Sequence, residues 1–299
     1  MWRFAHITDP HLASTRDGEW NNRFLCSMMP QVMACLRRDL AQLQPEFILA
    51  TGDIVSHQTR AAMFEARDLM ESLGVPYYPM GGNHDFVVEE SRDWFLEAFA
   101  HRLPAPRPYY AFNHKNLHFV VLDAWWLWSD DTLSAVSEQS VAENIEVSLA
   151  GARWAIPPFQ LAWLDAHLTA HQDKPVIIGV HYPALGVPPH MKRPNYKDSG
   201  HLENGGLLID LLSAHNRVRA IFSGHMHMNY ITQASGIVQV VTSALPEFPV
   251  EYRDVRVYQD RLEIETRPLS DPTFTARSLK PGREWTRGTP DDRTRTIPL

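Results

Sequence analysis

Short runs dominated by apolar side chains recur along the chain: RFAHIT, EFILAT, VPYYPM, LHFVVLD, PVIIGV, VRAIFS and IVQVVTS. Each has strand length, and most are bounded by Gly, Pro or Asp. Between them the apolar period changes. In MPQVMACLRRDLAQL, residues Val32, Leu36, Leu40 and Leu43 recur at spacings of four, four and three, which predicts a helix with Ser27 as its cap ahead of Pro30. TRAAMFEARDLMESLG predicts a second helix closed by a glycine, and FQLAWLDAHLTAH a third, amphipathic one. Strand and helix alternate through the first half, the signature of an α/β domain. Later, IVQVVTSAL, YRDVRVYQD and RLEIETRPL follow one another without helices between them and predict antiparallel strands.

Two stretches break this rhythm. Residues 124 to 158 open on AWWLW, pass through an acidic, Ser-rich span and end at IPP. That span is too long for a tight loop and predicts a cap or an inserted helix. Residues 183 to 203 form a second long loop rich in Pro and basic residues. Beyond residue 268, Pro, Arg, Asp and Thr alternate with little apolar content, so residues 269 to 299 are expected to wrap the surface or lack order. The predicted organisation is one catalytic domain over residues 1 to 268 followed by a tail, with no internal repeat.

Composition narrows the class. A chain of 299 residues that is 44% apolar can bury one large core. A formal net charge of -7 argues against broad nucleic-acid binding. Cys26 and Cys35 lie in one helix-like stretch, on opposite faces at about 100° per residue, so no disulfide is expected between them. With no cysteine framework, no basic leader and no apolar run long enough to cross a bilayer, the sequence reads as a soluble cytoplasmic protein.

The residues with metal-ligand chemistry stand at the ends of predicted strands. Asp9 and His11 follow RFAHIT, Asp53 follows EFILAT, Asn83 and His84 follow VPYYPM, His181 follows PVIIGV, and His225 and His227 follow VRAIFS. In a layered α/β sheet the carboxyl ends of the strands share one rim, where ligands bind. Taken singly, Asp-x-His or Gly-His-x-His is ordinary turn chemistry; five such sets in order converge on one site. The seven donors Asp9, His11, Asp53, Asn83, His181, His225 and His227 exceed one tetrahedral ion and suit two ions about 3.5 to 4 Å apart. Asp53 is the natural bridge, with Asp9, His11 and His227 on the first ion and Asn83, His181 and His225 on the second. Nitrogen and oxygen donors without thiolate favour Fe, Mn, Zn or Co. The Asn83 amide supplies an uncharged oxygen and leaves the ion electrophilic toward an anion. His84 then stays free as a general acid or a stabiliser of phosphoryl charge, with Asp85 orienting its ring.

In order, DPH at 9 to 11, GD at 52 to 53, GNHD at 82 to 85, the lone His181 and GHMH at 224 to 227 make the chain resemble the calcineurin-like metallophosphoesterases over residues 1 to about 265. The resemblance implies a four-layer α/β/β/α sandwich with two mixed β-sheets, a dinuclear site at the strand ends and the ligand division given above. FQLAWLDAHL and ENGGLLIDLLSAHNRVRAIFSGHMH look most like class III cyclic nucleotide phosphodiesterases and glycerophosphodiesterases. Three departures touch the substrate pocket: HYPA at 181 to 184 where those enzymes often show His-His-Pro-Pro, IVSHQ after Asp53, and the long insertion.

The activity so implied is hydrolysis of a small-molecule phosphodiester, a cyclic nucleotide or a glycerophosphodiester, by a metal-bound hydroxide. Membrane and nucleic acid are not expected as partners, and a homo-oligomer is left open. A phosphomonoesterase or nucleotide-type pyrophosphatase is the alternative, disfavoured because no basic residue adjoins the core motifs; a DNA nuclease or a non-catalytic binding module follows. His201 and Asn204, like Asn83 and His84, are candidate substrate contacts. Trp125, Trp126 and Trp128 are read as packing a cap or subunit contact, with a stacking lid as the alternative. His190, Lys192, Arg193 and Lys197 form a solvated loop or a grip on a remote phosphate. His57 is read as a neighbour of Asp53 or a surface residue, and His101, His114, His167 and His215 as structural or exposed.

Overall fold

The computed structural model describes all residues except 57–58, 87–89, 130–131, 136–152 and 195–198. Strand β1 (Trp2–Ile7) leads through a small hairpin, β2 (Gly18–Glu19) and β3 (Arg23–Phe24), into α1 (Met29–Leu43) and β4 (Ile48–Thr51). Next come α2 (Arg60–Glu71), β5 (Tyr77–Met80), α3 (Ser91–Phe99), and the hairpin of β6 (Tyr110–His114) and β7 (Leu117–Leu122). Three short strands follow, β8 (Trp126–Ser129), β9 (Thr132–Ala135) and β10 (Arg153–Ala155). The second half runs α4 (Pro158–Ala170), β11 (Val176–Val180), α5 (Gly205–Ser213), β12 (Val218–Ser223), β13 (Tyr230–Ala234) and β14 (Ile237–Val241). Strands β15 (Glu251–Val257) and β16 (Arg261–Pro268), helix α6 (Pro272–Ser278) and β17 (Thr294–Pro298) complete it.

Two six-stranded sheets result, ordered β17-β16-β15-β1-β4-β5 and β13-β14-β12-β11-β7-β6. Both are mixed: β1, β4 and β5 run parallel, as do β7, β11, β12 and β14, and antiparallel strands flank each group. Alternate side chains of each central strand serve different layers. Trp2, Phe4, Phe119, Ile177 and Phe222 meet between the sheets, where Phe4 stacks on Phe47 at 5.2 Å and takes the edge of Phe119 at 5.5 Å. The intervening Ile7, Ile48 and Ala50 belong to the outer core with Val32, Leu36 and Met63 of the helices, and Val120 and Ile178 belong with Leu164 and Leu208. Burial on both faces explains why these strands read as unbroken apolar runs. The architecture is the expected α/β/β/α sandwich.

Several local expectations change. Ser27 does not cap α1; its N–H and hydroxyl both go to the Asp17 carboxylate, at 2.9 and 3.0 Å, and Met28 takes the cap position. Pro30 in the first turn lacks the N–H that a cap would have served. Of residues 124 to 158, the described ones ahead of α4 include a three-stranded antiparallel sheet, β10-β8-β9, and 136–152, where an inserted helix would fall, lie outside the described residues. The chain beyond residue 268 neither lacks order nor merely wraps the surface: β17 pairs along β16 and Ile297 is buried between the sheets. An edge strand needs only one buried side chain, so TRTIP carries little apolar signal. Cys26 and Cys35 are both free and buried. Among the described residues no helix is long and apolar enough to cross a membrane.

Candidate metal centre

The carboxyl ends of β1, β4 and β5 in one sheet and of β11 and β12 in the other face a common cleft. The chain leaves these strands abruptly. Asp9, His11, Asp53, His225 and His227 all adopt left-handed backbone angles, with φ between 44° and 65°. Such angles are uncommon for residues with a side chain, although Asp and His tolerate them better than most. Adjacent loops hold them there: Asp9 N–H donates to Gly52 O and His11 N–H to Asp53 O, both at 3.0 Å, and Gly224 N–H donates to His181 O at 3.1 Å. Gly52, at φ 93°, lies so close to His181 that a Cβ would sit 2.5 Å from its Nδ1. A Cβ on Gly224 would collide with Thr8 Oγ1 and the Asp9 carboxylate.

The structure brings all seven sequence-predicted donors together. Ligand atoms of Asp9, His11, Asp53 and His227 lie within 4.8 Å of one another, as do those of Asp53, His181 and His225. Asp53 is common to both sets. Asn83 Oδ1 joins the second, 3.1 Å from His181 Nε2 and 3.1 Å from His225 Nδ1. The Nε2 atoms of His11 and His227 face each other at 3.3 Å, a separation that either a shared proton or a shared cation satisfies. His181 Nδ1–H donates to Thr51 O at 2.7 Å and His227 Nδ1–H to Glu247 Oε2 at 2.6 Å. Each of those bonds turns the Nε2 lone pair toward the centre, as outer partners of metal-ligating histidines do.

Charge tests whether the donors suit cations. Burial opposes charge at every one of these groups. At His181 the Asp53 and Asp9 carboxylates outweigh burial and raise the imidazole to about 9; at His227 Asp9 and Glu247 raise it to about 10. Burial keeps His11 and His225 well below the usual imidazole range, with neighbouring imidazoles adding to the effect. Without other countercharge, then, two buried imidazoles would hold protons against burial. Divalent cations would supply that charge and release the protons. The donor set fits metal.

Two expected roles are corrected. Asp85 does not orient the His84 ring; its carboxylate accepts the N–H groups of Gly82 at 2.8 Å, Val55 at 2.9 Å and Ile54 at 3.2 Å, fastening the loop after β5 to the loop after β4. Asn204 does not face substrate, because its amide is spent on both backbone groups of Ile156, at 3.0 and 2.7 Å. His201 follows Gly200, which lies against His225 and Met226. His84 sits where expected: its backbone N–H donates to Asp53 Oδ1 at 2.8 Å and its half-buried ring stands edge-on to His11 at 4.7 Å.

The cleft holds about 510 Å³ and has a wall that the strand and helix patterns do not reveal. Residues of the β2–β3 hairpin and its flanks form it, among them Arg16, Trp20, Phe24 and Cys26. Trp20 is 49% exposed and presents its ring to His227 at 4.5 Å, with Phe24 at 5.1 Å from the same imidazole. Arg16 brings an exposed guanidinium to the site, where the sequence predicts no cation. Burial pushes the Cys26 thiol up to about 11, which keeps it protonated. Trp125 is buried, stacked on Trp154 at 3.4 Å, and so belongs to the core. His190 pairs with Asp292 at 2.9 Å and Arg193 lies over Trp285 at 5.0 Å. His57 and Lys197, together with the Trp128 side chain, lie outside the described residues.

Comparison with known proteins adds an independent line. A sequence profile for calcineurin-like phosphoesterase matches residues 3–229. A 3′,5′-cyclic-nucleotide phosphodiesterase of Nostoc sp. is 23% identical over 292 residues, covering 91% of this chain and 96% of that protein. A probable glycerophosphodiester phosphodiesterase GpdQ of Arcobacter nitrofigilis is 26% identical over 213 residues, which is 69% of this chain and 65%, just under two thirds, of that protein. Among solved structures, a dimetal phosphatase from Danio rerio shares the fold with a TM-score of 0.69 at 20% identity, over 90% of this chain and 97% of that one.

Proposed function

Because the chain belongs to the calcineurin-like phosphoesterase family, we propose that it is a dinuclear metal-dependent phosphodiesterase acting on a small molecule of the cyclic-nucleotide or glycerophosphodiester kind. The observation that carries this reading is the pair of donor sets sharing Asp53 on the floor of a cleft with one aromatic wall. Asp9, His11, Asp53 and His227 would hold one ion, and Asp53, Asn83, His181 and His225 the other. When bound, the ions would supply Lewis acidity for the phosphoryl oxygens and a water acidic enough to ionise near neutral pH. Fe, Mn, Zn and Co all suit this donor chemistry.

The chain's own groups do the rest. Asn83 would give an uncharged oxygen, leaving more net positive charge toward an anionic substrate than a carboxylate would. His84, fixed through its backbone to Asp53, would pass a proton from its ring to the leaving oxygen. Trp20 and Phe24 would cover the apolar part of the substrate and exclude water from that side. A monoesterase is the second reading, and Arg16 favours it, since a dianionic ester gains more from a guanidinium at the wall than a monoanion does.

Metal-reconstituted protein assayed on bis-p-nitrophenyl phosphate, p-nitrophenyl phosphate and single-stranded DNA tests the reading. The diester is expected to give the highest kcat/KM, and Asp53→Ala to lose metal and activity together. A preference for the monoester refutes the diester assignment, and no turnover of either ester by fully loaded protein refutes the enzyme. Cyclic nucleotides and glycerophosphodiesters then divide the substrate class.

A further inference from the structure

Three histidines outside the cleft form a second cluster. His118 lies near the start of β7, His167 in the last turn of α4 and His171 at that helix's C-cap. The spacing of four puts the two helical residues on one face. The rings of His118 and His167 stack at 5.0 Å, those of His118 and His171 at 5.1 Å, and those of His167 and His171 at 4.1 Å. One ring nitrogen from each falls within 4.8 Å of the others, and His118 Nε2 is 2.8 Å from His167 Nε2.

The remaining nitrogens show how the rings are held. His118 Nδ1 faces Asn113 Oδ1 at 3.0 Å, and His171 Nδ1 faces the His167 carbonyl oxygen at 2.8 Å. Neither oxygen can donate, so both Nδ1 atoms carry hydrogen, and in the neutral rings Nε2 is the nitrogen with the lone pair. Metal-ligating histidines are held in this way, by an oxygen acceptor on the nitrogen that does not ligate.

We propose that His118, His167 and His171 bind one divalent transition ion of borderline softness, with Zn²⁺ as the probe, at a site separate from the candidate dinuclear centre. Three imidazoles without thiolate suit zinc in a tetrahedron closed by water. Zinc–nitrogen bonds of about 2.0 to 2.1 Å place tetrahedral ligand atoms about 3.3 Å apart, so the closest pair must open by roughly half an ångström, any pair near the 4.8 Å limit must close, and the rings, now within 23° of parallel, must turn toward one point. Two of the three side chains are half-buried at a helix end, where they have room to turn. Burial and the neighbouring imidazoles lower His118 and His167 to about 4, so both rings are neutral at pH 7; His167 Nε2–H then donates to His118 Nε2, and that hydrogen must pass to His167 Nδ1 for the ion to bind. Among nearby charges Asp173 favours a cation, whereas Arg107 and Lys174 oppose it.

The ion would complete an attachment that the fold already half makes. At the other end of α4, the Gln160 side chain brackets the Asp123 backbone just past β7, accepting its N–H at 2.8 Å and donating to its carbonyl at 2.9 Å. Zinc at the histidines would fasten the second end of the same helix to the same strand.

The test uses the full chain in excess Zn²⁺. Zinc per chain after gel filtration is compared between the wild type and His167→Gln/His171→Gln, and crystals grown with Zn²⁺ are examined by anomalous scattering at the zinc edge. The wild type is expected to carry one zinc more than the variant, with an anomalous peak between the three rings. At a hundredfold excess over Kd, its Tm should rise by roughly 5 °C beyond any rise in the variant. Hydrolysis of bis-p-nitrophenyl phosphate should be alike in both proteins. Equal zinc content, or no peak between the rings while peaks appear at Asp53, overturns the proposal and leaves the phosphodiesterase reading untouched. The peak requires no variant, so it decides the question even if the substituted helix fails to fold.

Discussion

Replacing Glu247 by Gln removes one charge and keeps the shape of a wholly buried side chain beside His227. Its Oε2 accepts the His227 Nδ1–H at 2.6 Å, and its Oε1 accepts the Asn22 backbone N–H. A glutamine offers one carbonyl oxygen to those two donors and turns amide hydrogens toward the other. Hydrogen bonds to a charged acceptor contribute about 1.5–3 kcal/mol and neutral ones about 0.5–1.5 kcal/mol, so His227 loses roughly 1–2 kcal/mol of support. If Nε2 is a ligand, that loss appears as ion affinity weaker by about 5- to 30-fold. This range overlaps the 10- to 100-fold effect of removing such outer partners elsewhere. The assay is competition of reconstituted protein against a chelator, resolving two release steps. One step, that of the set containing Asp9, His11, Asp53 and His227, should weaken, and the other should hold within about threefold. Unchanged affinity at both steps in a folded variant would falsify the argument, and equal weakening of both would assign Glu247 to packing.

Three further outcomes are expected. His84→Ala should keep both metals yet slow hydrolysis of an alkyl diester by about 10²- to 10⁴-fold, with less effect on a p-nitrophenyl ester whose leaving group needs no proton; full rate on the alkyl diester removes the acid role. Trp20→Ala, at a half-exposed position, should raise KM for aryl or nucleoside esters roughly tenfold while leaving small alkyl esters alone. Equal KM values for both ester types in the two proteins would contradict a stacking wall. Arg102 holds the Glu71 carboxyl at about 2, against the opposing effect of burial. Its stabilisation is therefore complete above about pH 4.5 and disappears as the pH falls toward 2. After allowance for solvent screening, Glu71→Gln should cost on the order of 1 kcal/mol at neutral pH, and urea unfolding of both proteins across this range should show the difference shrinking on acidification.

What the sequence made readable was carried by local signals. Runs such as VIIGV are apolar throughout because β11 is buried on both faces, and the donors stand out because each follows such a run directly. The illegible parts depend on distant contacts or on very short elements. Glu247 lies 20 residues beyond its partner His227, in a loop with no periodic pattern. Asp85 reads as a partner for the histidine beside it, whereas its real partners are backbone N–H groups 30 and 31 residues away as well as one 3 residues away. The hairpin that carries Trp20 has strands of two residues each, too short for any alternation to register.

The backbone of the candidate centre explains why its donors can be so few and so firmly placed. A left-handed angle costs a residue with a side chain about 1 kcal/mol, and Asp9, His11, Asp53, His225 and His227 all adopt one. Such angles persist where the surroundings over-determine them. Here the loop-to-loop bonds from Asp9 to Gly52 and from His11 to Asp53 fix the first sheet's donors, and Asp85 ties the loop carrying Asn83 to the same segment. The second sheet joins through the His225 N–H, which donates to the Asp9 carboxylate at 3.0 Å. Asp9 is thus a member of one donor set and also a link between the sheets, beside the bond from His181 Nδ1–H to Thr51 O. An arriving cation therefore meets side chains whose backbones are already set by the fold, and its binding free energy goes into coordination with little left to spend on ordering loops.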